Sequence, residues 1–239
     1  MRELTPERLL ASLGFGSRKD SRALIRMGIV EINDEIIEDP FSELKDRPAF
    51  IKVNGEMIST EEEIFGMLNK PLGYECSAKP QHHESVYSLL PSRFKNMNVK
   101  FVGRLDVDSS GLILFSNLGN FIHQMESPKK GLKKKYKVEL ARPFSKEAET
   151  ELLSGVLLKG EKKMVQAKSI NRISDRETEI EITEGLYHQV RRMFAAIGNH
   201  VETLTRISIG DLILNDSLTP GNYRMLTKEE LNFLGFEKK

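Results

Sequence analysis

Thr178-Glu179-Ile180-Glu181-Ile182-Thr183 places Thr178, Ile180 and Ile182 on one side and Glu179, Glu181 and Thr183 on the other. Successive side chains of a strand point to opposite faces, so this alternation predicts a half-buried strand of the kind antiparallel sheets contain. Upstream, Leu112-Ile113-Leu114-Phe115 and Tyr136-Lys137-Val138-Glu139-Leu140 read as further strands. Downstream, Val201–Ile209 alternates so that Glu202, Leu204, Arg206 and Ser208 share one face and Val201, Thr203, Thr205, Ile207 and Ile209 the other. Between these strands, residues 187–197 place Val190, Met193, Phe194 and Ile197 at i, i+3, i+4 and i+7, a helical period that Gly198 is positioned to end. Thr227-Lys228-Glu229-Glu230 fits a capping box opening a last short helix through Leu234. Strands and helices do not follow a βαβ rhythm, and the fold class is α+β.

The N-terminal part reads as a separate small unit. Residues 5–27 hold two helical stretches parted by Gly14-Phe15-Gly16, with Leu9, Leu10 and Leu13 as the apolar side of the first and Ser17 as N-cap of the second. Arg18, Arg22 and Arg26 recur at i, i+4 and i+8 and form a basic stripe on the second helix. Two hairpins follow, one turning at Asn33-Asp34 and one at Asn54-Gly55, where a type I′ turn needs positive φ at both central residues. The acidic Thr60-Glu61-Glu62-Glu63 reads as a linker, which sets the expected domains at 1–60 and 64–239. Residues 1–60 contain 9 Lys+Arg and 11 Asp+Glu, so nucleic-acid contact here depends on the arginine face and not on net charge.

The whole chain has 239 residues with 36 Lys+Arg against 35 Asp+Glu, a balance foreign to disordered and supercharged chains. Arg2, Glu3, Glu7 and Arg8 put charges where a secretory signal needs an apolar core, and no apolar run approaches the length of a membrane span, so a cytoplasmic protein with no membrane partner is expected. The single cysteine, Cys76, excludes an internal disulfide and a cysteine-rich zinc finger. Gly155-Val156-Leu157-Leu158-Lys159-Gly160 carries the glycines of a phosphate loop but has Glu161 and Lys162 where Lys and Ser/Thr are required. The five histidines lack metal-ligand spacing, and no metal site is expected.

Three stretches carry chemistry. Gly103-Arg104-Leu105-Asp106-Val107-Asp108-Ser109-Ser110-Gly111-Leu112 sets a carboxylate between an arginine and an apolar strand. Lys129-Lys130-Gly131-Leu132-Lys133-Lys134-Lys135-Tyr136-Lys137 holds six lysines in nine residues with one aromatic, a density suited to a phosphate backbone. Glu184-Gly185-Leu186-Tyr187-His188-Gln189-Val190-Arg191-Arg192-Met193 puts His, Gln and two Arg at a helix start, where free amides also favour anions.

Gly103-Arg104-Leu105-Asp106, with Leu68-Asn69-Lys70-Pro71 and Gly73 upstream and His188-Gln189-Val190-Arg191-Arg192-Met193-Phe194 downstream, resembles the RNA pseudouridine synthases. Ala195–Val201 and Gly221-Asn222-Tyr223-Arg224 extend the likeness toward the branch acting on small-subunit ribosomal RNA. The N-terminal unit resembles the helix-helix-hairpin RNA-binding domain of small-subunit ribosomal protein S-four. The resemblance implies a catalytic domain built on a mixed, mainly antiparallel sheet. It implies Asp106 as the catalytic aspartate, Arg191 as the basic residue that pairs with it and keeps it ionised, and Tyr136 as the ring packed against the target base. Leu204 matches an apolar wall of the base pocket, and Arg206 with Gly210 completes the surrounding pattern. Arg104, His188, Gln189, Arg192, Lys133, Lys134, Lys135 and the Arg18, Arg22, Arg26 stripe are the expected RNA contacts. Leu186 departs from the pattern, standing where members of the family usually carry Lys or Arg. The implied reaction is an isomerisation of a flipped-out uridine in small-subunit ribosomal RNA or its ribonucleoprotein, by a monomer, with no metal, nucleotide or redox cofactor.

Two other classes bear on the same residues. A non-catalytic RNA-binding assembly factor would account for the arginine stripe and the lysine cluster without Asp106. A glycosidase would pair Asp106 with Asp108 or Glu184 across a sugar cleft, against which stands the absence of Trp.

Overall fold

The computed structural model describes residues 3–237, with Lys129 described by its backbone alone. The expected domain ends at residues 1–2 and 238–239, and the side chain of Lys129 in the lysine cluster, lie outside what is described. The chain divides into two compact units, residues 1–64 with 90–100 and residues 65–89 with 101–239.

In the first unit, α1 (Pro6–Ser12) and α2 (Arg18–Arg26) precede four strands, β1 (Val30–Ile32), β2 (Glu35–Ile36), β3 (Phe50–Val53) and β4 (Glu56–Ser59). Ser17 caps α2 in a capping box with Asp20. Both expected turns form, with Asn33 and Asp34 at φ 54° and 65° and Asn54 and Gly55 at 52° and 78°. The two hairpins do not stand apart: β1 also pairs antiparallel with β3, giving one sheet in the order β2-β1-β3-β4. Its buried face carries Val30, Ile32, Ile51, Val53 and Ile58 against Leu9, Leu10, Leu13 and Ile25 of the helices. Thr60 is buried, and Arg47 donates to its carbonyl and to Glu62, so the acidic stretch belongs to this unit and the division falls after Ile64. A short helix, α3 (Arg93–Asn96), belongs to the same unit, Asn96 donating to the Gly14 carbonyl at 2.8 Å.

The second unit is built on a nine-stranded sheet. In chain order its elements are β5 (Phe65–Lys70), β6 (Tyr74–Glu75), β7 (Glu84–Ser85), β8 (Lys100–Val102), β9 (Ser110–Ser116), α4 (Gly119–Glu126), β10 (Lys134–Leu140), α5 (Lys146–Ser154), β11 (Ser169–Arg172), β12 (Glu177–Ile182), α6 (Gln189–Ala196), β13 (Val201–Ile209), β14 (Leu212–Ile213), β15 (Tyr223–Met225) and α7 (Lys228–Phe233). The sheet runs β11-β12-β10-β13-β9-β5-β15, with β14 on β13 and β8 on β9. Along that order every pairing is antiparallel except β13 with β9, so the sheet is mixed and mainly antiparallel, and the fold is α+β. β12 alternates in burial residue by residue, as its sequence requires.

One face of the sheet packs under α4 and α7. Phe65, Met67, Leu112 and Leu114 meet Phe121 and Met125 of α4 and Leu231, Leu234 and Phe236 at the C-terminal end. Phe121 stacks edge-on with Phe65 at 5.1 Å and with Phe236 at 5.0 Å. The capping box Thr227–Glu230 starts α7 and aims Leu231 and Leu234 into this core. The opposite face of the same central strands carries the candidate site. No helix among the described residues is long and apolar enough to cross a membrane.

Candidate active site

A single cross-strand row sets out the site. Lys70 of β5 lies opposite Gly111 of β9, Gly111 opposite Arg206 of β13, Arg206 opposite Tyr136 of β10, and Tyr136 opposite Ile180 of β12. Residues in one row share a face, and Val138 and its partner Leu204 lie one step along the same face. Gly111 permits the row to close. Its φ is +102°, and a Cβ there would meet the Arg206 carbonyl oxygen at 2.3 Å, so no larger residue fits where β9 and β13 approach.

Asp106 hangs at the start of this row, in the loop between β8 and β9. Lys70 is fully buried, and its ammonium donates to the carbonyls of Pro71 (3.1 Å), Asp106 (2.9 Å) and Ser109 (2.7 Å). Burial pushes this ammonium below its ordinary value, opposed by Cys76 and by the carboxylates of Asp106 and Asp108. The loop is held from its other side by Arg191, which donates to the Asp108 carbonyl at 2.8 Å and to the Val201 carbonyl at 2.9 Å. Leu105 is buried, and its amide points at Cys76 Sγ, whose thiol burial pushes up. The Asp106 carboxylate is one-third exposed, so the loop backbone is clamped while the carboxylate stays open.

The resemblance pairs Arg191 with Asp106, and the structure corrects this. Arg191 forms its ion pair with Asp108, at 3.0 Å, and the side chain on Asp106 is His188, with Nε2 3.2 Å from Oδ1. The reason is local geometry. His188 is the N-cap of α6 in the left-handed region (φ 48°), which turns its ring toward Asp106, whereas Arg191, almost a turn further on, is anchored on Val201 and Asp108.

Tyr136 is buried on β10, and Leu204 and Arg206 are buried on β13. Arg206 Nε donates to the Leu112 carbonyl at 2.7 Å, while its Nη2 and the Nε of Arg191 are buried without a hydrogen-bond partner.

The expected RNA contacts divide into exposed and internally occupied side chains. Arg104, Arg18 and Arg26 are exposed. Arg22 is tied to Glu7 at 2.5 Å and lies over the Phe41 ring. Lys133 is largely exposed beside Glu181, and Lys135 is half-buried. Lys134 turns inward with Tyr136, its ammonium near the carbonyls of Leu132 and Thr183, and burial beside Arg206 pushes it down. Gln189 is buried and braces its own loop, accepting from the Leu186 amide at 3.1 Å and donating to Glu184 at 3.1 Å. Arg192 is a clasp, bound to Glu161, to the Lys159 carbonyl and to the Tyr187 carbonyl. The clamp made by Lys70 was not read from its motif, because nothing local to Leu68-Asn69-Lys70-Pro71 shows which carbonyls the ammonium will face.

Residues 65–196 match the family model described as RNA pseudouridylate synthase. A Bacillus subtilis (strain 168) protein named "Uncharacterized RNA pseudouridine synthase YtzG" is 36% identical over 231 residues, covering 95% of this chain and 97% of its own. "Ribosomal small subunit pseudouridine synthase A" of Vibrio vulnificus (strain CMCP6) is 35% identical over 218 residues, covering 90% of this chain and 93% of its own. A solved structure, "Crystal structure of pseudouridylate synthase", superposes with a TM-score of 0.69 at 35% identity over 97% of this chain and 99% of its own. The chain belongs to the RNA pseudouridine synthase family.

Proposed function

We propose that the protein isomerises a specific uridine of small-subunit ribosomal RNA to pseudouridine, with Asp106 as its catalytic carboxylate. The observation that carries this reading is the clamped Asp106 loop, held by Lys70 and Arg191 at the head of the Arg206–Tyr136 row. Its placement suits a carboxylate that acts at the anomeric carbon while uracil detaches, rotates and rejoins through carbon 5. A stacked base hides these atoms, so the uridine is flipped out, at a cost of a few kcal/mol that is least in a loop or bulge. Tyr136 then packs against the base, Leu204 walls the pocket, and the unpartnered Nη2 of Arg206 is a donor for a uracil carbonyl. The rearrangement conserves the atoms of the nucleoside.

The ribosomal target is supported by the small-subunit name of relatives about one-third identical to this chain along nearly its whole length. Residues 1–60 are read as an RNA-binding domain of the S-four kind, with the exposed Arg18 and Arg26 as its contacts, and the enzyme as a cytoplasmic monomer. The test is tritium release from carbon-5-labelled uridine in small-subunit ribosomal RNA and its ribonucleoprotein. Wild type is expected to release tritium, and Asp106→Asn to release none while still binding RNA. Binding without release by either protein, on every RNA tried, would replace this reading with that of an assembly factor.

A further inference from the structure

Tyr187 is one side chain removed from Asp106, through His188, yet nothing in the mechanism above uses it. Its side chain lies open: the residue is 70% exposed, against 44% for Phe233, while Phe115, Phe121, Phe144 and Phe194 of the same unit are buried. It is not loose. The ring lies stacked on His188, with centroids 3.9 Å apart and planes 17° from parallel, and His188 in turn touches Asp106.

The backbone beneath the two rings is braced at two points, one of them buttressed in turn. Gln189 holds the Leu186 amide, Glu184 holds Gln189, and Arg192 donates to the Tyr187 carbonyl at 3.0 Å. An ordered aromatic ring with an open face has already lost its conformational freedom in the free protein, so a ligand that covers it is spared that cost. A nucleobase is the flat partner that RNA offers such a ring, and stacking on an aromatic side chain tolerates any base because each has a π-face.

The same Arg192 also fastens a basic hairpin to this step. It binds the Lys159 carbonyl at 2.6 Å and the Glu161 carboxylate at 3.0 Å, in a segment closed by the Val156–Val165 bridge. Lys159, Lys162 and Lys163 are exposed on that segment. Aromatic platform and cationic rail are thus fixed to one guanidinium, the combination that tracks a single strand through its bases and its phosphates.

We propose that Tyr187, seated on His188, is the stacking platform for the nucleobase adjoining the uridine delivered to Asp106, with the Lys159–Lys163 hairpin holding the connecting phosphates. This rests on the isomerase reading for its location and on stacking alone for its chemistry, and the two are tested separately. The first arm uses short uridine-rich RNA oligonucleotides carrying one 2-aminopurine either 5′ or 3′ of a central uridine, bound to wild type, Tyr187→Phe and Tyr187→Ala. Stacking quenches 2-aminopurine fluorescence, so wild type and Tyr187→Phe are expected to quench one of the two probes and Tyr187→Ala neither. The second arm measures turnover of carbon-5-tritiated small-subunit ribosomal RNA. Tyr187→Ala is expected to raise KM roughly 5- to 150-fold with kcat little changed, the range that the loss of one stacked base implies. Tyr187→Phe is expected to stay near wild type. Equal quenching by all three proteins, or equal failure of Phe and Ala, overturns the platform, as does the absence of quenching by wild type. If no RNA is turned over by wild type, the isomerase reading fails, and the fluorescence arm still decides the platform.

Discussion

Replacing Lys70 by Met tests the clamp on the Asp106 loop directly. The side chain is fully buried and donates to three carbonyls, those of Pro71, Asp106 and Ser109. Hydrogen bonds from a charged donor contribute roughly 1.5–3 kcal/mol each, so the three together are worth roughly 4.5–9 kcal/mol. Against this stands the desolvation of a buried ammonium, several kcal/mol, which Met does not incur. The difference leaves Lys70→Met destabilised by about 2–5 kcal/mol, which in a unit of this size lowers the unfolding midpoint by roughly 4–20 °C. Met fills most of the volume, so the loss comes from three stranded carbonyls and not from a cavity. Turnover should fall further than stability suggests. A displacement of the Asp106 carboxylate by about 1 Å costs on the order of 10²-fold in kcat, measured well below the unfolding transition. There is also a signature in pH. Burial lowers the folded-state value of Lys70 below its ordinary 10.5, so the unfolded chain holds this proton more tightly. Wild-type stability from this group therefore rises as pH climbs from the depressed value toward 10.5, and Lys70→Met loses that rise. Calorimetry at neutral and alkaline pH and single-turnover tritium release make the measurements. An unfolding midpoint within about 1 °C of wild type, together with unchanged turnover, would refute the clamp.

Two further outcomes follow from the same sheet. Gly111→Ala drives a Cβ to 2.3 Å from the Arg206 carbonyl at a φ of +102°, and strain plus overpacking should cost about 2–6 kcal/mol, read as a lower urea midpoint; an unchanged midpoint would mean that β9 and β13 have room to part. Glu230 is held below its ordinary 4.5 chiefly by hydrogen bonding to Arg224, so its contribution is complete above that value and is lost as pH falls through the depressed one; Glu230→Gln should be less stable at neutral pH and flatter in acid titration, and parallel titrations would contradict this.

Much of the fold could be read from local pattern because backbone geometry sets it locally. Alternation in Thr178–Thr183, the periodic Val190, Met193 and Phe194, and the turn residues Asn33-Asp34 and Asn54-Gly55 each act over a few residues, and each formed as read; Val201–Ile209 forms its strand, but its register against β10 shifts twice, so its two faces do not alternate throughout as read. The site was legible as a set of motifs and not as a set of contacts. Arg191 was matched to Asp106 and holds Asp108; Gln189 and Lys134 were matched to RNA and turn to their own backbone. A long polar side chain takes whichever acceptor the assembled fold leaves within reach, and that acceptor usually lies far away in sequence. Lys70 shows the division most plainly. Local sequence shows only that a lysine stands directly before Pro71. It took the pairing of β5 with β9 to bury that ammonium and leave the carbonyls of Asp106 and Ser109 as its partners.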